Sequence, residues 1–301
     1  LQEWIVMPPI WVAAMPVAAA ARLVGEHDTR MWRVLHHWVE QARERADYAD
    51  VKRVAIDETA AKRGHDYVSL FVDIDQRRVL FVTEGRGADT VAAFADDLEA
   101  HNGDASRIKQ VCIDMSAAFI KGVTDNLTEA EITFDKFHAV KLVNDAIDKV
   151  RRAESKGRPE LKRSRYLWLR NEPSLSAEAR ANLAALTRLH LKTARAYQIR
   201  LAFQEIYRQP NWDWGALFLD RWYSWAIRSR LDPIKEAART VMRHRDGILA
   251  WFDSQIANGL IEGINSLIQA AKAKARGYRS TRNLKAITYL IAGKLDLKLP
   301  T

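Results

Sequence analysis

The sequence predicts an α/β protein: a mixed five-stranded sheet interrupted by an all-helical insertion and preceded by a helical hairpin. Three observations carry that prediction. Five short runs rich in Val, Ile and Phe, broken by Gly, Asp and Asn, fall between residues 53 and 138. Between about residues 155 and 250 such runs stop and helical periodicity takes over. Helices alone complete the chain. A length of 301 residues can bury a real core and hold more than one domain. The pattern divides the chain into residues 1–50, 51–154, 155–250 and 251–301.

In order along the chain, "MPVAAAARLVGEHDTRMWRVLHHWVEQARE" reads as two helices, Val17 to Val24 and Thr29 to Glu44, about a turn at Gly25 to Asp28. Gly25 suits the reversal, and Asp28 or Thr29 can cap the second helix. Ala21, Gly25, Met31 and Val34 stand at offsets like those of a helix-turn-helix, whose second helix would enter a DNA groove. The segment is not basic, so a packing or dimerising hairpin is the alternative reading.

The strand runs are "RVAIDETA", "YVSLFVDID", "RVLFVTEG", "KQVCIDMS" and "EITFDKFH". "DQR" joins the second and third as a hairpin. Helices are expected from Ala88 to about His101, from about Ser116 to Leu127, and after the fifth run. Strands followed by alternating helix and strand describe an α/β domain with a mixed sheet. In the helical stretch, "AEARANLAALTRLHLKTARAYQIRLAFQEIYRQ" reads as one long amphipathic element. Trp212, Trp214, Trp222, Trp225 and Trp251 are expected in the core of this region.

Composition narrows the function. Hydrophobic content of 48% and charged content of 28% are those of a soluble globular protein. The net charge of +9 is uneven: residues 51–150 carry 13 basic and 18 acidic side chains, whereas 151–210 carry 14 and 5, and 265–301 carry 8 and 1. Such asymmetry points to a polyanionic partner, most simply nucleic acid. The single cysteine, Cys112, excludes a disulfide framework and a cysteine-based zinc site within this chain, and fits a reducing cytoplasm. The apolar opening contains Pro8, Pro9 and Pro16 and no basic leader, which argues against a membrane helix or signal peptide. The chain starts on Leu rather than Met, which reads as a trimmed chain with a domain upstream.

Two strand runs end alike: "RVAID" reaches Asp57 and "QVCID" reaches Asp114. Runs apolar on both faces suit central strands, and the functional groups of open α/β sheets gather beyond strand ends. Each Asp alone would simply begin a turn. On neighbouring strands the two carboxylates converge, an arrangement that a cation neutralises, and all-oxygen ligands favour Mg²⁺ or Mn²⁺. Further on, "NGLIEGINSLIQAAKAKARGY" holds Glu262, the single acid between Ser254 and Leu295, among seven Lys or Arg. At about 100° per residue, Ile256, Leu260, Ile264, Leu267, Ile268 and Ala271 form an apolar stripe. Glu262 lies opposite, with Asn258, Asn265, Gln269 and Arg276. Gly259 and Gly263 leave room beside the acid. A lone helical Glu is ordinarily a solvated charge; with two Asp already converging the balance reverses.

"VAIDETAAKRGHDYVSLFVDIDQRRVLFVTEGR", "VCIDMSAAFIKGV", "FDKFHAVKLVNDAIDKVRR" and "NGLIEGINSLIQAAKAKARGYRS", in that order from about residue 50 to 295, resemble bacterial insertion-sequence transposases of the ISL-three type, DDE recombinases. The resemblance implies an RNase H-like core, metal-binding catalytic residues Asp57, Asp114 and Glu262, and a place near the site, with no role assigned, for Asp135 and His138. It implies two Mg²⁺ or Mn²⁺ ions, with Asp57 bridging them. Double-stranded DNA, both element terminal inverted repeats and target, is the implied partner, gripped by Asn258, Asn265, Lys272, Lys274, Arg276, Arg279 and Arg282. A homo-oligomer on DNA in the bacterial cytoplasm, associated with the nucleoid, follows, with no membrane. The family's N-terminal cysteine-containing zinc module has no counterpart in these residues. Three readings stay open beside it: a structure-specific RNase H-like nuclease, a domesticated inactive transposase that binds DNA, and a non-enzymatic helix-turn-helix regulator.

Overall fold

The computed structural model describes residue 12 and residues 14–62, 64, 66–256 and 259–299. Two compact units emerge, residues 1–132 with 257–301, and residues 133–256.

The first unit opens with α1 (Val17–Leu23) and α2 (Asp28–Glu44), joined through Gly25 at φ +68°, the left-handed conformation that glycine adopts without strain. The sheet strands follow: β1 (Arg53–Ala60), β2 (Tyr67–Asp73), β3 (Arg78–Glu84), β4 (Gln110–Ile113) and β5 (Glu131–Phe134), in which the first unit ends. Their order is β3-β2-β1-β4-β5. β1 runs antiparallel to β2 and β2 to β3, whereas β1 and β4 are parallel. All five strands fall where the apolar runs place them, because β-branched and aromatic residues fit a pleated, covered surface. Between them lie α3 (Asp89–Ala100) and α4 (Ala117–Asn126), and the unit ends with α13 (Gly259–Lys274) and α14 (Thr281–Ala292), numbered after the helices of the second unit. Stacked Phe71 and Phe94, ring centroids 4.5 Å apart, pin α3 to the sheet.

α2 is bound into this unit rather than standing apart from it. Met31, Leu35, Val39 and Ala42 are buried, and His36 hydrogen-bonds Asn283 of α14 at 2.9 Å. At its C-terminal end the Arg43 guanidinium, largely buried, bonds the Asp97 carboxylate, the Leu80 carbonyl and the Tyr289 hydroxyl, the last at 2.7 Å. Burial pushes the Asp97 carboxyl up from its ordinary value, with Arg43 opposing the shift. One side chain thus joins α2, β3, α3 and α14.

The second unit is helical beyond its opening residues: α5 (Lys136–Glu154), α6 (Arg165–Leu169), α7 (Ala177–Thr187), α8 (Lys192–Glu205), α9 (Trp212–Ile227), α10 (Asp232–Arg243), α11 (Arg245–Leu249) and α12 (Trp251–Ser254). α5 packs on α8 and α10, so the compact helical unit takes in α5 and runs from Thr133 to Ile256. The long amphipathic stretch forms two helices, α7 and α8. Its break is held by Glu154, whose carboxylate accepts from the Lys192 and Thr193 amides at 2.8 and 2.7 Å and from the Thr193 hydroxyl at 2.7 Å. An acid 38 residues upstream therefore starts α8. Of the tryptophans expected in the core, Trp222 is 2% exposed and donates its indole N–H to the Ile199 carbonyl. Trp212, Trp214 and Trp225 are instead 38%, 55% and 42% exposed. Gly215 explains the orientation of α9: a Cβ there would lie 2.2 Å from the Phe252 ring, so this side of the helix must face inward. Among the described residues no helix is long and apolar enough to cross a membrane.

Removing Arg43 would strand Asp97 as a buried carboxylate. Arg43→Ala should lower the unfolding free energy by about 3 kcal/mol, whereas Arg43→Met with Asp97→Leu should cost far less. Chemical denaturation of both variants checks this, and equal losses would refute the latch.

Candidate active site

The register of β1 against β4 sets the site. Arg53, Val54 and Ala55 pair with Gln110, Val111 and Cys112. Two residues beyond Ala55 is Asp57, and two beyond Cys112 is Asp114. β4 ends at Ile113, one residue before Asp114; the same register extended by two would bring the acids to neighbouring positions on one face, since side chains alternate with period two. Neighbouring strands are about 4.8 Å apart, and both acids are half-buried. The residues leading to them, Val54 to Ile56 and Val111 to Ile113, are buried. The acids lie where the apolar strands reach the protein's polar rim.

Each acid also has a local role. Asp57 accepts from the Glu58 amide at 2.9 Å. Asp114 accepts from the amide of Ser116, the N-cap of α4, at 2.9 Å, so its charge lies at a helix N-terminus, where a negative group is favoured.

α13 docks along the same face of β1. Asn265 donates its amide to Asp57 Oδ2 at 2.7 Å, Gln269 donates to the Thr59 hydroxyl at 2.7 Å, and the Lys272 ammonium donates to the Ala60 carbonyl at 2.6 Å. The helix is therefore rotated from the expected apolar stripe. Ile261, Ile264 and Ile268 are buried, while Leu260 is half-buried and Leu267 is 54% exposed. Three polar contacts to β1 and three buried isoleucines outweigh the burial of one leucine. Glu262 lies one turn nearer the helix start than Asn265 and about 60° round from it, exposed at the edge of the face that meets β1. A Cβ at Gly259 or Gly263 would meet nothing within 4 Å, so the glycines do leave open space beside the acid.

Among the described residues no three His, Cys, Asp or Glu side chains form a group able to hold a metal ion. What the fold shows is Asp57 on β1 and Asp114 just past the end of the adjacent β4, with the Glu262 helix anchored to Asp57 through Asn265. The donors suit a hard cation, since all are oxygens. Asn265 Oδ1, buried beside Asp57, has no hydrogen-bond partner among the described residues. Flipping the amide would set oxygen against carboxylate, so that orphan oxygen remains for a cation or its water. Sequence reasoning put Asn265 on the Glu262 face but missed its bond to Asp57; the shared helical face was the signal for it.

The remaining candidates separate. Lys274, Arg276 and Arg279 are exposed on and just after α13. Arg282 is exposed but pairs with Glu40 at 2.7 Å, and Asn258 lies outside the described residues. Burial pulls the Lys272 ammonium below its usual range, in keeping with its place on the Ala60 carbonyl. Asp135 and His138 belong to the second unit. Asp135 is buried and caps α5, accepting from the Phe137 and His138 amides at 3.0 and 3.2 Å and sharing a 2.6 Å bond with the His138 ring.

A family model described as a transposase, the DDE type of ISL3 elements, matches residues 54–288. The chain is 31% identical to the transposase for insertion sequence element IS1001 of Bordetella parapertussis over 77% of this chain and 59% of the relative. It is 29% identical to the transposase for insertion sequence element IS1557 of Mycobacterium tuberculosis over 93% of this chain and 70% of the relative. The chain thus spans well under the full length of either.

Two like charges at one level of a sheet repel by on the order of 1–2 kcal/mol, against about 0.3–1 kcal/mol for a carboxylate at a helix N-terminus. Asp114→Asn should therefore raise the stability of the chelated protein by about 1 kcal/mol. A melting curve in chelator that is unchanged or lowered would show that the carboxylates do not share a level.

Proposed function

This chain belongs to the DDE, ISL3-type transposase family, and on that premise we propose that it cuts phosphodiester bonds at the ends of a mobile element and joins them to target DNA. The observation that carries the proposal is the parallel pairing of β1 with β4, the strands that lead to Asp57 and Asp114, with the helix of Glu262 tied to β1. We read the first unit as an RNase H-like core, supported by its strand order and its parallel β1–β4 pairing, and the second unit as an insertion between β5 and α13. α1 and α2 form the helix-turn-helix of this reading, with exposed Arg33 and His37 on the side turned away from the core.

Asp57, Asp114 and Glu262 would hold two divalent cations, Mg²⁺ or Mn²⁺, whose chemistry when bound is to activate the attacking oxygen and stabilise the leaving 3′-oxygen. Asn265 steadies the Asp57 carboxylate by its amide and so preserves the orientation of the acid. Lys274, Arg276 and Arg279 extend from the acid's helix toward DNA phosphates, which position a duplex without reading its sequence. Element ends and target DNA are both substrates on this reading, the chain acts as a homo-oligomer on them, and the setting is the bacterial cytoplasm beside the nucleoid. An RNase H-like nuclease would share the acids but release cut ends without joining them.

Glu262 decides between a ligand and a solvated charge. Glu262→Gln should shift stability by no more than about 0.5 kcal/mol and leave DNA binding intact, yet abolish cutting and joining of an end substrate in Mn²⁺. A variant that folds, binds and cuts at the wild-type rate would remove Glu262 from the chemistry.

Binding should fall steeply with salt through counterion release. Reversing Lys274, Arg276 and Arg279 to Glu should weaken it by roughly tenfold or more on every sequence tested and flatten that salt dependence. Lys272 is left out because its ammonium is engaged by Ala60. Titrations of the variant that keep the wild-type salt slope would contradict this phosphate surface.

A further inference from the structure

α9 buries one side and exposes an unusual one. Gly215, Ala216, Leu219, Trp222 and Ala226 face inward. Trp214, Leu217, Arg221, Trp225 and Arg228 are exposed, with Trp214 at 55%, Leu217 at 42% and Trp225 at 42%. At about 100° per residue these five fall within an arc of roughly 80°, one continuous stripe of alternating indole and guanidinium. Leaving two tryptophans and a leucine in water forgoes some of the largest burial energies available to side chains. The acids of this helix stay out of the stripe: Asp213 and Asp220 lie at its edge, and Asp220 is bonded to Arg245 at 3.2 Å.

Charge selects the occupant. Residues 133–256 hold 24 basic and 14 acidic side chains, a net +10, whereas the rest of the chain holds 23 and 24, a net −1. The whole positive excess therefore belongs to the unit that displays this stripe. A second copy of the chain docked about a two-fold axis would set Arg221, the midpoint of the stripe, against its own symmetry mate, a like-charge contact that disfavours such an interface. Indole faces need flat partners and guanidinium groups need anions. A nucleic-acid strand supplies both, and its base faces are accessible only where bases are unpaired, because a duplex already stacks them on each other.

We propose that the exposed face of α9 is a stacking platform for unpaired bases, with Trp214 and Trp225 holding the bases and Arg221 and Arg228 the flanking phosphates. It rests on the reading of the chain as a DNA-acting protein and adds to it a preference for strands with locally opened pairing. Stacking on an aromatic side chain is sequence-tolerant, so the platform would recognise distortion rather than base identity.

The test uses the full chain with two probes, a short fully paired duplex and the same duplex carrying unpaired adenines, one of them replaced by fluorescent 2-aminopurine. Wild type should bind the distorted duplex about tenfold more tightly and quench the 2-aminopurine. Trp214→Ala with Trp225→Ala should lose both the preference and the quenching while binding the paired duplex to within about twofold of wild type. Tyr at both positions should restore the quenching. If the alanine variant does not fold, Arg221→Gln with Arg228→Gln tests the same face, and an unchanged preference in that variant overturns the proposal. So do a wild type that binds paired duplex without preferring the distorted one, and an alanine variant that keeps its preference. An alanine variant that changes from dimer to monomer in sedimentation, with DNA preference intact, would assign the face to a second copy instead. A wild type that binds neither DNA would defeat the underlying DNA reading and not this face alone.

Discussion

The parallel pairing of β1 with β4 is the constraint on which the site depends. β1 alone joins the antiparallel hairpin side of the sheet to the parallel side. A slip of one residue would turn Asp114 to the opposite face from Asp57, because strand side chains alternate. The slip is prevented by burial on both faces: Val54, Ala55, Ile56, Val111, Cys112 and Ile113 are all at most 3% exposed. Any shift would exchange packed residues of different volume throughout the pair. The core thus fixes the positions of charged groups that contribute nothing to it. α13 inherits the same reference, since Asn265 and Gln269 meet Asp57 and Thr59, alternate residues on one face of β1.

A second constraint keeps that sheet rigid from behind. Arg43 connects four elements that are distant in sequence, and a guanidinium suits the task because its planar fork can donate in several fixed directions at once. Tyr289 completes the joint: its hydroxyl accepts from Arg43 and from the Val82 amide at 2.9 Å, while its ring lies under the same guanidinium at 4.5 Å. The N-terminal hairpin is consequently part of the first unit's packing. DNA contact by α2 has only its outer side to use.

Much of this was legible in the sequence, for definite physical reasons. Strand positions could be read because each strand's apolar run is continuous, as local burial requires. The rotation of α13 could not, because a hydrophobic stripe counts only apolar residues and gives no weight to the three hydrogen bonds that Asn265, Gln269 and Lys272 make to β1. The break between α7 and α8 was hidden for a related reason. Helical residues run through it, and the capping acid, Glu154, lies on another helix. The tryptophans misled in the opposite direction: residue type predicts burial on average, yet Trp214 and Trp225 lie on the side of α9 away from Phe252 and Trp222. Each failure is a tertiary contact overriding a local preference.

The distribution of charge between the units has a chemical logic. A carboxylate site meant for divalent cations is weakened by nearby lysines and arginines, which pair with the acids and compete with the metal. A protein that must also hold a polyanion needs many such cations. Here the residues of the sheet unit sum to −1 and those of the helical unit to +10, so on the proposed reading the two requirements fall largely on different parts of the chain. α13 shows the same separation on a smaller scale: Glu262 stands in its first turn and Lys272 and Lys274 in its last, with neutral Asn265 and Gln269 on the face that meets β1 between them. Lys272, the cation nearest to β1, is held on the Ala60 carbonyl, three residues along the strand from Asp57. On the proposed reading, binding a polyanion and offering two acids to a cation are compatible in one chain because its sequence keeps the charges apart.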